Sequence, residues 1–460
     1  MSTVAGSHAF EFVGDARQRT LTPLRWITGK PHPSGNFNYR SGPMVSISFR
    51  GLLMSQLVWV CLAAPLFAEE SDSQRGAAAL VALREYLSEA REQRAPLVEQ
   101  AFAAQPLSRS VASQVRDLLW KDHVAFIRRT RQQEMQAKRI EVGKHALRFD
   151  YKIFGDKPAK GRSLYISMHG GGGTTQAVND QQWENQKRLY RPKEGVYLAP
   201  RAPTNTWNLW HQGHIDPLFD RLISNLIVFE QVDPNRVYLM GYSAGGDGVY
   251  QLAPRMADRW AAAAMMAGHP NEASPLSLRN IGFTLHMGEL DKAYNRNGVA
   301  RQWQERLAKL KEDDPQGYAH EVQLHKGKGH WMDRQDAVAV PWMARFRRNP
   351  VPQRVVWHQD DVTHLASYWL AVPETAKARA LVVADRVDQR VTLTSSDVQR
   401  VTVRLDDRMV NLDDKVVIEG NGEMVFEGQL SRSVANLAAS LAAREDPGLM
   451  FSAAVTVELR

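Results

Sequence analysis

A serine enclosed by small residues, in Gly241-Tyr242-Ser243-Ala244-Gly245, is the first place where this sequence could do chemistry. The pentapeptide follows RVYLM, a run that reads as a strand, and precedes a segment from Ala244 that reads as a helix. On so sharp a strand-to-helix turn a serine stands exposed as a nucleophile, and small neighbours let the adjoining backbones pass closely. The amides at the helix N-terminus favour negative charge developing beside them. Upstream, YISMHGGGGTT ends another strand with His169 and the glycines Gly170 to Gly173. Such a loop presents amides with no Cβ in the way and can supply the second half of an oxyanion-binding site. A phosphate cradle is disfavoured, because the lysine of G-x-x-x-x-G-K-[ST] is missing. Attack on a carbonyl, with amides receiving the charge, is the chemistry these stretches suggest.

Such groups need a rigid frame. Between Arg162 and Phe346, short apolar runs alternate with amphipathic segments. The strand candidates are Leu164 to Met168, Gly195 to Ala199, Arg236 to Met240, Ala261 to Met266, Phe283 to Met287 and Glu321 to His325. The helix candidates include Pro217 to Gln231, Ala244 to Met256, Val299 to Glu312 and Asp336 to Phe346. This alternation predicts a mainly parallel sheet covered by helices on both faces, with chemistry at the carboxyl ends of its strands. Before it, Ile140 to Gly155 alternates as two antiparallel strands would.

With HGGGG and DPNRVYLMGYSAGG on the page, residues 140 to 346 resemble the α/β-hydrolase superfamily, in particular secreted carboxylesterases and polyhydroxyalkanoate-depolymerase-like esterases. The resemblance implies an acid and then a histidine after the serine. FTLHMGELD offers Asp291 just past a strand, with Glu289 as rival; the resemblance favours the residue at the strand exit. HKGKGHWMD offers His330, flanked by a glycine-rich turn, with His325 as rival inside the last strand. In this reading His330 takes the proton of Ser243, Asp291 orients the imidazole, and the amides of Ala244 and of Gly171 or Gly172 hold the oxyanion. An acyl-enzyme forms and water releases the acid. Trp207, Trp210, His211 and His214, in NTWNLWHQGH, together with Trp331, are candidates for an aromatic pocket wall. Gly246-Asp247-Gly248 is open: Asp247 could cap the helix, hold a loop or touch substrate. A serine peptidase of the same fold is one alternative; a catalytically inactive polymer- or surface-binding protein is another.

The chain of 460 residues, with 43% hydrophobic and 23% charged residues, is long enough for two or three ordinary globular domains. Its 58 Lys and Arg against 50 Asp and Glu give +8, but the basic residues are scattered, which argues against nucleic-acid binding. The segment 44–68 has a charged start, an apolar run and small residues closing at Ala68, the layout of an export signal. Its apolar run is too short to span a membrane. The expectation is an exported protein, periplasmic or extracellular, with translation starting at Met44 and residues 1–43 an extension. Cys61 would leave with the signal, so neither disulfides nor a thiol nucleophile would take part. Residues 69–138 read as helices broken near Pro96 and Pro106, 139–346 as the catalytic domain, 347–354 as a linker, and 355–460 as a small antiparallel β domain with a hairpin at Asn421-Gly422. His358 and His364 flank Asp360 and Asp361 but read as solvated loop residues, so no metal and no other cofactor is expected. The expected partner is a small-molecule or polymeric ester, with no stable membrane insertion once the signal is removed.

Overall fold

The structure, a computed structural model, describes residues 72–460; the extension 1–43, the export segment 44–68 and Cys61 lie outside them. Helix α1 (Asp72–Ser88) and the long helix α2 (Arg109–Ala137) come first, separated by short 3-10 turns around Pro96 and Pro106. Ser108 caps α2 by accepting from the Val111 amide. The buried face of α2 repeats every four residues from Val115 through Leu119, His123, Ile127 and Arg131 to Met135, the i, i+4 stripe of a helix with one side on a core.

Next come β1 (Arg139–Val142), β2 (His145–Phe154), β3 (Arg162–Met168), α3 (Gln176–Gln186), β4 (Gly195–Arg201), α4 (Ile215–Phe229), β5 (Val232–Tyr242), α5 (Ala244–Arg255), β6 (Ala262–Met266), β7 (Gly282–Gly288), α6 (Arg296–Asp313), β8 (His320–His325) and α7 (Ala339–Met343). The strands form one sheet in the order β1-β2-β4-β3-β5-β6-β7-β8. β1, β2 and β4 pair antiparallel; from β4 onward all pairs are parallel. β4, β6 and β7 are buried along their whole length, as strands covered on both faces must be. The register sets Met168 beside Gly241 and Tyr242 beside Met266, so the loops after β3, β5 and β6 leave the sheet together. α7 is shorter than expected; a 3-10 turn at Gln335–Val338 precedes it.

The C-terminal region contains β9 (Arg354–His358), β10 (Ala366–Ser367), β11 (Leu370–Ala371), β12 (Leu381–Val387), β13 (Arg390–Ser396), β14 (Arg400–Leu405), β15 (Lys415–Gly420), β16 (Glu423–Gln429), α8 (Val434–Arg444) and β17 (Ala453–Glu458). They build a five-stranded sheet, β16-β15-β13-β12-β9, and a four-stranded one, β10-β11-β14-β17. Asn421 and Gly422, both at positive φ, turn the expected hairpin between β15 and β16. Two features depart from a purely antiparallel β domain. β13 and β15 pair parallel, and α8 packs Val434, Leu437 and Leu441 against Val115, Leu119 and Leu83 of the N-terminal helices. Nor is 347–354 a free linker: buried Arg348 binds Asp446 at 2.8 Å and the Asp258 carbonyl at 2.7 Å, Arg347 binds Asp233, and Arg354 already belongs to β9. Among the described residues no helix is long and apolar enough to cross a membrane.

Candidate active site

Ser243 sits between the last residue of β5 and the first of α5 with φ 57° and ψ −122°, a conformation that costs a non-glycine residue about 1–3 kcal/mol. Its surroundings hold it there. The Ser243 amide donates to the Met266 carbonyl at 2.9 Å, and its carbonyl accepts from the Asp247 amide at 3.0 Å, opening α5. Gly245 lies so close to the end of β3 that a Cβ would stand 2.7 Å from the Met168 carbonyl carbon, closer still to its oxygen, and 2.9 Å from the His169 oxygen. The glycine therefore lets helix and strand approach.

Further along the sheet, two and three strands from β5, β7 and β8 deliver the partners. His330 Nε2 lies 2.9 Å from Ser243 Oγ, and its Nδ1 lies 2.7 Å from Asp291 Oδ2. Asp291 is 3% exposed, whereas the imidazole is 44% exposed and open to a substrate. A carboxylate only accepts, so Nδ1 donates to Asp291 and Nε2 is left to accept the serine proton. Arg296 Nη1 stands 3.8 Å from the other Asp291 oxygen.

The rivals have other work. Glu289 accepts from the Gly327 amide at 2.9 Å and so pins the start of the histidine loop. His325 is buried against His286, 3.1 Å between ring nitrogens. Desolvation pushes the His286 imidazole down to about 3. Tyr242, inside the pentapeptide, secures the far end of the same loop. Its hydroxyl donates to the His330 carbonyl at 2.6 Å and accepts from the Met332 amide at 3.1 Å.

The glycine loop passes over the serine, with the Cβ position of Gly170 only 3.1 Å from Ser243 Cβ. His169 fixes its start: Nε2 accepts from the Ala202 amide at 3.1 Å, so Nδ1 carries the proton and donates to the Gly170 carbonyl at 2.6 Å. Burial depresses this imidazole to about 4, which keeps the neutral tautomer. Of the two expected glycine donors, Gly172 is committed elsewhere. Its amide donates to Asn179 Oδ1 at 2.9 Å, and its carbonyl accepts from Asn179 Nδ2 at 3.0 Å. Gly171, at φ 104° and packed against the same asparagine side chain, keeps its amide unbonded among the described residues. Gly171 and Ala244, at the start of α5, thus carry the amides beside Ser243 that can meet an oxyanion.

Ser243 and His330 open into a cavity of about 590 Å³. Its wall comes largely from α3 and the turn after it (Val178, Gln182, Asn185, Arg188, Leu189), which sequence reasoning missed because α3 has no clear apolar stripe. Trp331, 50% exposed, lines it. Trp210 does not: it is wholly buried in the sheet's core, and its indole N–H donates to the His169 carbonyl at 2.9 Å. Trp207 is 63% exposed and packs on Gly172 and Gly173 outside the cavity. His211 is also outside it; desolvation lowers its imidazole to about 4. His214 stacks on His145, centroids 3.7 Å apart.

Asp247 holds a loop, one of the roles left open for it: Oδ1 accepts from the His269 amide at 2.6 Å. The expected solvated cluster is partly buried. His364 Nε2 binds Asp216 at 2.6 Å, and Asp360 is 7% exposed and pairs with Arg379 at 2.7 Å. Asp360, Asp361 and Glu272 bring oxygens within 4.8 Å of one another, but the guanidinium already neutralises the one buried member.

The sheet order, with Ser243 on the turn between β5 and α5, defines the α/β-hydrolase fold. No protein-family model matches the chain, and no curated protein matches it. Among solved structures it is similar to a thermostable esterase, with a TM-score of 0.38 and 17% identity over 46% of this chain and 62% of that one, less than two thirds of the esterase's length. It is also similar to the poly(3-hydroxybutyrate) depolymerase LpqC from Bordetella parapertussis, with a TM-score of 0.32 and 15% identity over 43% of this chain and 83% of that one. A carboxylesterase from Mesorhizobium loti gives a TM-score of 0.32 and 15% identity over 45% of this chain and 99% of that one.

Proposed function

We propose that this chain is a serine hydrolase that cleaves carboxylic esters through an acyl-enzyme. The observation that carries the reading is the continuous path from Ser243 Oγ through His330 to Asp291, with spacings of 2.9 and 2.7 Å. As Oγ bonds to the ester carbon, its proton passes to Nε2, and Asp291 stabilises the imidazolium. The carbonyl oxygen becomes an oxyanion facing the Gly171 and Ala244 amides, whose fixed dipoles favour that charge without reorganising. Nε2 then protonates the departing alcohol. Water, losing a proton to Nε2, attacks the acyl carbon, and Oγ leaves with that proton. The open cavity beside an exposed imidazole supports ester turnover on an accessible substrate.

Ser243→Ala should lower kcat on 4-nitrophenyl acetate by about 10⁴-fold or more, and a fluorophosphonate should label the parent at Ser243 alone. Normal turnover by the variant refutes the serine mechanism. An unlabelled, inactive parent favours the polymer-binding alternative, and faster cleavage of peptide amides than of matched esters favours the peptidase. Export is proposed on the segment 44–68 alone. N-terminal sequencing of protein from the exported fraction should begin at Glu69, and a mature chain retaining residues 1–43 refutes it.

A further inference from the structure

We propose that this site selects esters carrying a second group that is a carboxylate. The inference rests on the serine-hydrolase reading and narrows its substrate class. The cavity beside Ser243 and His330 is lined by two arginines, Arg188 and Arg334, and by no aspartate or glutamate. They reach it from separate elements: Arg188 from the turn after α3, and Arg334 from the turn following His330.

Neither side chain forms an ion pair or hydrogen bond among the described residues. Other exposed arginines do spend their charge on acidic partners, as Arg148 does on Asp180 and Arg345 on Glu321. An arginine without an internal partner keeps its planar fork of donors for a ligand, and that fork matches the two oxygens of a carboxylate. Two such charges in one concave wall focus a positive potential on the entrance and favour capture of an anion.

The remaining surface specifies what the carboxylate is attached to. Leu189 and the exposed face of Trp331 offer apolar contact, suited to a flat or aliphatic body. A cationic substrate would meet repulsion with no compensating group. A neutral one would use the apolar contacts and leave both arginines to water.

Two matched ester pairs test this. 4-Acetoxybenzoate against 4-acetoxybenzamide places the charge on the alcohol side; monomethyl terephthalate against methyl 4-carbamoylbenzoate places it on the acyl side. In at least one pair, kcat/KM of the parent should be about ten-fold or more higher for the anion at low salt, and the advantage should shrink as salt approaches about 0.5 M. The Arg188→Gln/Arg334→Gln double variant should lose about ten-fold more on that anion than on its neutral partner. Comparing variant with parent cancels the intrinsic reactivities of the esters. Arg188→Lys/Arg334→Lys, which keeps the charge, should recover part of the preference. A parent with no anion preference in either pair, or equal losses on both members of each pair, overturns the proposal. Full activity of Ser243→Ala on the neutral esters would instead overturn the reading beneath it, so the two failures are distinguishable.

Discussion

Replacing Tyr242 by Phe removes one oxygen atom and should cost much of the turnover without touching a reacting group. The phenol bonds both the His330 carbonyl, at 2.6 Å, and the Met332 amide, at 3.1 Å, so a side chain of the serine turn clamps the loop that bears the base. Met332 is wholly buried. Leaving its N–H without a partner costs about 1–3 kcal/mol, and the bond to His330 contributes about 0.5–1.5 kcal/mol more. The start of the loop stays pinned through Glu289 to Gly327 and through the Leu290 amide to the Lys328 carbonyl, so the loss falls on the His330 end. If about 2 kcal/mol of it is relieved by the loop leaving its place, kcat should drop about 30-fold. KM should change less than about three-fold, since the ring still lines the cavity. Steady-state kinetics on a 4-nitrophenyl ester, with a melting curve on the same sample, measures both effects. A variant that melts earlier but turns over within about two-fold of the parent would refute the argument, because His330 would then be held without the phenol.

Gly245→Ala should destabilise the chain by about 3 kcal/mol or more, because the new methyl overlaps the Met168 carbonyl at the end of β3; a melting midpoint equal to the parent's would contradict that packing. Asp247→Asn should alter the pH dependence of stability. Desolvation raises the Asp247 carboxyl from the usual 3.8 to about 6. Between those values the folded chain binds more protons than the unfolded one, so this group's contribution to stability falls as pH rises from about 4 to about 6, and the total reaches about 3 kcal/mol at pH 7. Asparagine removes the titration and can still accept from the His269 amide. The melting midpoint of the variant should therefore match the parent near pH 4 and exceed it at pH 7, and a pH-independent difference would rule the mechanism out.

The parts of the site legible in sequence were those dictated by local geometry. A nucleophile on a tight strand-to-helix turn demands glycines at fixed offsets, and an open amide loop demands another run of them. GYSAG and HGGGG announce both. The sheet strands were readable for a similar reason, since strands buried on both faces are continuous apolar runs. α8 was also present as a pattern, in VANLAASLAAR with its buried Val434, Leu437 and Leu441, yet a neighbourhood of strands masks it. Its apolar stripe makes sense only beside α1 and α2, some three hundred residues away in the chain.

By itself, then, the sequence determined the fold class, the serine turn and a short set of acids and histidines that could complete it, because backbone sterics and hydrophobic periodicity act over a few residues. Which of those groups meet was decided by tertiary structure. Trp210 and Trp331 are the same residue type, but one is sealed in the core and the other stands at the cavity. Gly171 and Gly172 are adjacent and chemically identical, yet Asn179, brought over by α3, occupies the amide of only one. Whether a polar group is spent on a neighbour or left for a substrate depends on what packs against it, and such contacts join residues far apart in the chain.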